Sequence, residues 1–100
     1  MQTNFNFADR RTIIAYDLEK NDVTAKQICE KSNGQLRTYI DFNGGARYEL
    51  PNTTILSFQN NAEEAKKSFI EAFNKTDSKS KIKILFSIVV SNKDACIENN

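Results

Sequence analysis

The chain contains no histidine, which removes the commonest general base and the commonest metal ligand together. Any catalysis would therefore rest on carboxylates, hydroxyls, lysine or arginine. Cysteine is scarce as well: Cys29 and Cys96 form no CxxC pair, and two thiols make no disulfide framework. Both are expected to be reduced, one in a core and one near a tail. No apolar run approaches the roughly 18 residues of a membrane span. The opening residues MQTNFNFADRR lack the apolar stretch of a signal peptide, so a cytoplasmic location is expected, with no membrane partner. There is no glycine-rich phosphate loop and no internal repeat. An excess of one charge is missing too. With 14 basic and 13 acidic side chains the net charge is +1, so contact with a polyanion would need a local basic patch.

What remains is ordinary globular composition, 39% hydrophobic and 27% charged, in a chain long enough for one domain and no more. The whole of residues 1–100 reads as that single domain, with a core from about 11 to 91 and polar termini. TIIAYDL (Thr12–Leu18) is β-branched and aromatic on both alternating sets, the pattern of an interior strand covered on two sides. It ends in an acid, Asp17, on the same side as Ile13 and Ala15. NDVTAKQICEKSNG then reads as a short helix. Thr24 and Gln27 have capping-box spacing, Val23 and Ile28 can staple around that cap, and Asp22 is an alternative cap. Its inward stripe is Ala25, Ile28 and Cys29, and Gly34 suits the left-handed position beyond the helix end.

LRTYIDF alternates, with Leu36, Thr38, Ile40 and Phe42 inward and Arg37, Tyr39 and Asp41 outward, as one half-buried strand. Asn43–Gly45 signals a hairpin turn, and the return arm ARYEL meets the one proline, Pro51, which implies an edge, a bulge or a break. TTILSFQ (Thr53–Gln59) is a further strand segment. A second helix starts at Asn60 or Asn61, carries Glu63 and Glu64 in its first turn, and turns Ala62, Ala65, Phe69, Ala72 and Phe73 inward. After the polar loop KTDSKSK, IKILFSIVVS (Ile82–Ser91) is a last strand, apolar on both faces beyond Lys83, with a possible short extra strand around Ala95–Ile97. The order βαββαβ predicts an α+β, ferredoxin-like fold, an antiparallel sheet with two helices on one face. Its other face would be bare, and the two-sided apolar strands imply that a second copy covers it.

With TIIAYDLEK, then helix, hairpin, YELPNTTILSF, helix and a hydrophobic last strand, the chain resembles the small CRISPR-associated nuclease family of the spacer-acquisition complex. Relatives of that family are virulence-associated protein D and the SinR-like proteins. Ala15, Tyr16 and Asp17 match the hydrophobic-Tyr-Asp ending of the family's first strand, and PNTTILSFQNNAEEAKKSF is similar to a SinR-like segment. The stretch from Gln35 to Pro51 is longer than the SinR-like hairpin. The resemblance implies a homodimer whose two Asp17 carboxylates face each other near the two-fold axis with Mg²⁺ or Mn²⁺ between them. It implies, further, either a metal-dependent endonuclease acting on RNA or DNA, most simply an endoribonuclease, or a non-catalytic partner. Paired carboxylates repel unless a cation neutralises them, and such an ion polarises a phosphate and activates water without histidine.

Other readings of the same residues stand beside these. Asp17 can instead cap the following turn or pair with Lys20 or an arginine, and Glu19 or Asp22 can assist as ligands. Arg37, Tyr39, Arg47 and Tyr48 place cations beside rings on the hairpin, a combination suited to phosphate contact with base stacking. The plain alternative is a solvated hairpin face with charge pairs to Asp41 and Glu49. Arg10 and Arg11, with Lys79, Lys81 and Lys83, can form a second phosphate-tracking stripe or an exposed surface. Ser57 has no base to activate it as a nucleophile. The competing function is a non-catalytic dimeric interaction module of the same fold.

Overall fold

Alternation along the first strand decides where the core lies. In the computed structural model, which describes residues 10–41 and 47–91, β1 (Arg10–Leu18) buries Thr12, Ile14, Tyr16 and Leu18 on one side. Two helices supply the other wall of that core. α1 (Ala25–Glu30) contributes Ile28, and α2 (Ala62–Asn74) contributes Ala65, Phe69, Ala72 and Phe73. The Phe69 and Tyr16 rings lie 4.8 Å apart at a tilted angle, a favourable arrangement for two quadrupoles.

Both helices start where their local sequence dictates. Thr24 caps α1: its hydroxyl accepts from the Gln27 N–H at 3.1 Å while the Gln27 side chain accepts from the Thr24 N–H at 2.7 Å, the expected capping box. Asp22 is therefore not a cap. Asn61 caps α2 by accepting from the N–H groups of Glu63 and Glu64, both at 3.0 Å, and those two acids sit favourably at the positive end of the helix. Beyond α1 the chain turns through Asn33 at φ 54° and Gly34 at φ 80°, so the left-handed step expected of Gly34 is shared with Asn33.

The middle of the chain departs from expectation. LRTYIDF does not run as one strand: β2 (Leu36–Arg37) pairs with β5 (Thr54–Ser57), whereas β3 (Tyr39–Asp41) pairs with β4 (Arg47–Glu49) as a separate hairpin. The break falls at Thr38, whose carbonyl accepts the Leu50 N–H at 2.8 Å and so follows the hairpin. Inward alternation survives it, since Leu36 and Ile40 are buried. Pro51 marks a break as well. It leads into a turn closed by Thr54 N–H on its carbonyl, with Thr53 at φ 61°, a conformation costly for a β-branched residue. That turn delivers the Thr53 carbonyl to the Tyr16 N–H at 3.0 Å. The expected turn at Asn43–Gly45, the inward Phe42, Cys96 and the possible strand at Ala95–Ile97 lie outside the described residues.

The main sheet has the order β2-β5-β1-β6, with β6 (Ile82–Ser91) antiparallel to β1 from Leu18↔Ile82 to Arg10↔Ser91. Every neighbouring pair in it is antiparallel. The fold is thus α+β, a four-stranded antiparallel sheet with two helices and an added hairpin. That hairpin corrects the plain six-element ferredoxin-like order expected from sequence, because β3 and β4 take up residues that had been assigned to the second and third strands.

Candidate interaction face

The sheet has a second face, opposite the helices, and it divides into two halves. Odd-numbered β1 residues point there: Arg11, Ile13 and Ala15 are half-buried and Asp17 is exposed. On the β5 side, Leu56 lies between Ile13 and Arg37 in the ladder and is 1% exposed. Next to it the Arg37 guanidinium stacks over the Phe58 ring at 4.2 Å, and Arg11 stacks over the same ring at 5.0 Å. Arg37 also lies 5.1 Å from the Tyr39 ring, and Arg47 covers Tyr39 at 3.7 Å. The result is an alternating ladder, Arg47, Tyr39, Arg37, Phe58 and Arg11, joining the hairpin to the sheet through cation–π contacts. Asp41 bridges two of its cations, at 3.2 Å to Arg37 and 3.6 Å to Arg47. Partial burial and the nearby charge of Arg37 push the Arg11 pKa down, as expected where like charges crowd.

On the β6 side the face is open. Ile88 pairs with Ile13 and Phe86 with Ala15 across the β1–β6 ladder. They are 50% and 46% exposed; the neighbouring Leu85 is 54% exposed, and Val89, in register with Thr12 on the opposite side of the strand, is 39% exposed. The register shifts between Ala15 and Tyr16, so Leu85 has no opposite number and β6 bulges there. From Ile84 to Ser91 the strand carries no charge, and among the described residues it is an edge of the sheet. An uncharged, apolar edge strand of this length is a surface that soluble proteins normally cover.

Asp17 stands at one end of this open half, in register with Lys83. Among the described residues it makes no ion pair, so the expected contacts with Lys20 or an arginine are not formed within the chain. Nor do the described residues contain a group of three or more histidine, cysteine, aspartate or glutamate side chains able to hold a metal. One exposed carboxylate in register with a lysine is a poor cation site within a single chain. Asp22 is occupied elsewhere. It accepts from Ser78 Oγ at 2.6 Å and from the Lys79 N–H at 2.8 Å, and these bonds, the hydroxyl first, hold its pKa below the usual carboxylate range. The clasp ties the loop before β6 to the end of β1, together with the bond from the Lys20 N–H to Ser80 Oγ. The polar loop KTDSKSK thus has a structural use that its composition did not announce.

Of the residues suggested for nucleic-acid contact, the fold brings together Arg11, Arg37, Tyr39 and Arg47, and adds Phe58. Alternation in TTILSFQ already placed Phe58 on the side of Leu56, which was the available signal. Tyr48 belongs to the other side of the hairpin, in register with buried Ile40, and Arg10 is exposed at the far end of the β1–β6 ladder. Both rings of the ladder have guanidinium groups over them, so any base stacking there would involve the arginines. Ser57 is buried and accepts from the Gln59 N–H, which agrees with its dismissal as a nucleophile. Burial, and then the charge of Glu30, push the Cys29 thiol up to about 11, leaving it a poor nucleophile. No helix among the described residues is long and apolar enough to cross a membrane. The chain matches no protein-family model, no curated protein and no solved structure.

Proposed function

We propose that the protein is a homodimeric interaction module, a ferredoxin-like domain with an inserted hairpin whose open sheet face is covered by a second copy. One observation carries this reading. Phe86 and Ile88 stand half exposed beside Ile13 and Ala15 on an uncharged edge strand, while Ile14, Tyr16 and Phe69 on the helix face are buried. Isologous pairing buries such a patch on both copies with a single contact surface. The test is sedimentation of the intact chain and of Ile88→Lys. A dimer for the first and a folded monomer for the second support the reading; a monomer for both removes it.

A second reading keeps nucleic acid as the substrate and is favoured by the position of Asp17, exposed at the margin of the same face. A dimer through that face would bring a second carboxylate into the interface, and the paired acids would hold Mg²⁺ or Mn²⁺, whose chemistry is to polarise a phosphodiester and activate water. Arg11, Arg37 and Arg47 would then position the phosphate backbone. Single-stranded RNA and duplex DNA incubated with Mg²⁺, Mn²⁺ or chelator, with the wild type beside Asp17→Asn, test it directly. Metal-dependent cleavage lost in Asp17→Asn supports an endonuclease. Equal cleavage by both, or none by either, removes the enzymatic reading and leaves the dimer intact.

A further inference from the structure

We infer that Asn33 is a site of spontaneous modification, where the carboxamide is converted to a carboxylate through a cyclic imide formed with the Gly34 nitrogen, and that the closed turn around it holds this reaction in check. It is independent of the dimeric reading above, because the residues concerned lie in the link between α1 and β2.

That link reads Ser32, Asn33, Gly34, Gln35, and its two central residues both have positive φ, 54° and 80°. The Gln35 N–H donates to the Ser32 carbonyl across them at 3.2 Å. Two positive φ values under such a bond define a type I′ turn, for which Asn-Gly is a preferred pair. Asn33 and Gly34 are both exposed, and a methyl group on Gly34 would have nothing within 4 Å. Water reaches both groups. Among the described residues no hydrogen bond holds the Asn33 carboxamide or the Gly34 N–H.

The chemistry needs no cofactor and balances with water alone. The Gly34 nitrogen attacks Asn33 Cγ: an N–Cγ bond forms, the Cγ–Nδ2 bond breaks, and ammonia leaves with the proton that the Gly34 nitrogen gives up. Water then opens the five-membered imide at one of its two carbonyls. Opening at Cγ gives aspartate with the main chain restored, whereas opening at the Asn33 main-chain carbonyl gives isoaspartate, whose chain runs through the side chain and is one methylene longer. A side chain at position 34 would crowd the ring, and glycine has none.

Geometry sets the rate. In a type I′ turn ψ of the first central residue is about +30°, which carries the following nitrogen to the side away from Cβ. Ring closure needs that nitrogen beside Cβ, so the turn has to open first. Neighbouring bonds oppose opening: Ser32 Oγ accepts the Leu36 N–H at 3.1 Å and donates to the Cys29 carbonyl at 2.6 Å, and the Gln35 carbonyl accepts the Phe58 N–H at 3.0 Å. These bonds also make the two products unequal. Aspartate tolerates the left-handed region and keeps the turn. Isoaspartate lengthens a two-residue loop, and the excess falls on Leu36, a buried residue of β2.

The test is ageing of the intact chain at mildly alkaline pH, beside the same chain unfolded in guanidinium chloride, followed by trypsin digestion and mass spectrometry. Cleavage after Lys31 and Arg37 isolates Asn33 in peptide 32–37, apart from the other Asn-Gly pair, Asn43 and Gly44, in peptide 38–47. The expected result is the amide-to-acid mass gain in peptide 32–37, resolved as two chromatographic isomers and about ten- to hundred-fold slower in the native chain than in the unfolded one. Ser32→Ala removes both hydroxyl bonds and leaves the Asn-Gly pair, so it raises the native rate several-fold and leaves the unfolded rate unchanged. The isoaspartate fraction melts below the Asn33→Asp variant, which melts close to the wild type. Native peptide 32–37 still unmodified after ageing about a hundred-fold longer than the unfolded chain needs to react would overturn the site. Equal rates in the native and unfolded chains, or a native rate that Ser32→Ala does not raise, would overturn the restraint by the turn.

Discussion

Successive residues of β1 meet opposite fates. Ile14 and Tyr16 lie under two helices and are sealed, while Ile13 and Ala15, one step away on the same strand, share their face with the exposed Phe86 and Ile88. The helix face is closed by local means, capped helices and interlocking rings. The opposite face is closed only on its β5 half, where guanidinium groups cover Phe58 and Tyr39. The comparison teaches that strand composition reports how many sides need cover, and that the cover does not have to come from the same chain.

Substitutions break that comparison most clearly in the core. Phe69→Ala removes a fully buried ring packed on Tyr16, and an expected loss of about 3–5 kcal/mol in urea unfolding contrasts with a change below about 1 kcal/mol in the stability of the isolated subunit for Phe86→Ala on the open face. Comparable losses from the two would show that Phe86 is as well packed as Phe69.

Alkaline pH probes the helix face alone. Burial, and then Cys29, push the Tyr16 hydroxyl up to about 12, and burial pushes the Cys29 thiol up to about 11, from ordinary values of 10.0 and 9.0. In each case the folded state keeps a proton that the unfolded state gives up, so stability is intact below about pH 9 and falls as pH rises from there toward 12. Thermal melts between pH 8 and 11 should show that decline, and Cys29→Ala should make its early part shallower. A melting temperature that stays level across the range would mean that neither group is shielded from water.

Caps and the ladder have smaller effects. Thr24→Ala removes the hydroxyl that accepts the Gln27 N–H, while the bond from the backbone N–H of residue 24 to the Gln27 side chain can remain, and should cost about 1 kcal/mol. Tyr39→Ala removes two cation–π contacts and should cost about 1 kcal/mol or less, since both cations keep Asp41. Its distinguishing readout is proteolysis between Thr38 and Leu50, which should speed up if the ladder fastens the hairpin, while amide exchange in α2 stays unchanged.

Much of the helix face was legible because its signals are short-range. The capping box at Thr24 and Gln27, the cap at Asn61 and the inward stripe of α2 all depend on residues within a turn or two of one another. The break at Thr38 was not legible. Alternation is the same whether the strand stays with β5 or departs with the hairpin, and only the competition between two ladder partners decides it. Asp22 looked like a cap for a related reason, as its true partners, Ser78 and Lys79, come from the far side of the chain. For the candidate face, the two-sided apolar pattern of the first and last strands was readable in advance, and so was the position of Asp17 beside Ile13 and Ala15. The ladder was half readable, since Arg37, Tyr39 and Arg47 share a hairpin but Phe58 and Arg11 join them only through sheet pairing.

Sedimentation equilibrium of the intact chain beside a Phe86→Lys, Ile88→Lys variant tests the central claim most directly, with far-ultraviolet circular dichroism to confirm that both are folded. The account predicts a concentration-dependent dimer for the wild type and a folded monomer for the variant. A wild type that stays monomeric well above micromolar concentration, or a variant that dimerises equally well, would contradict it.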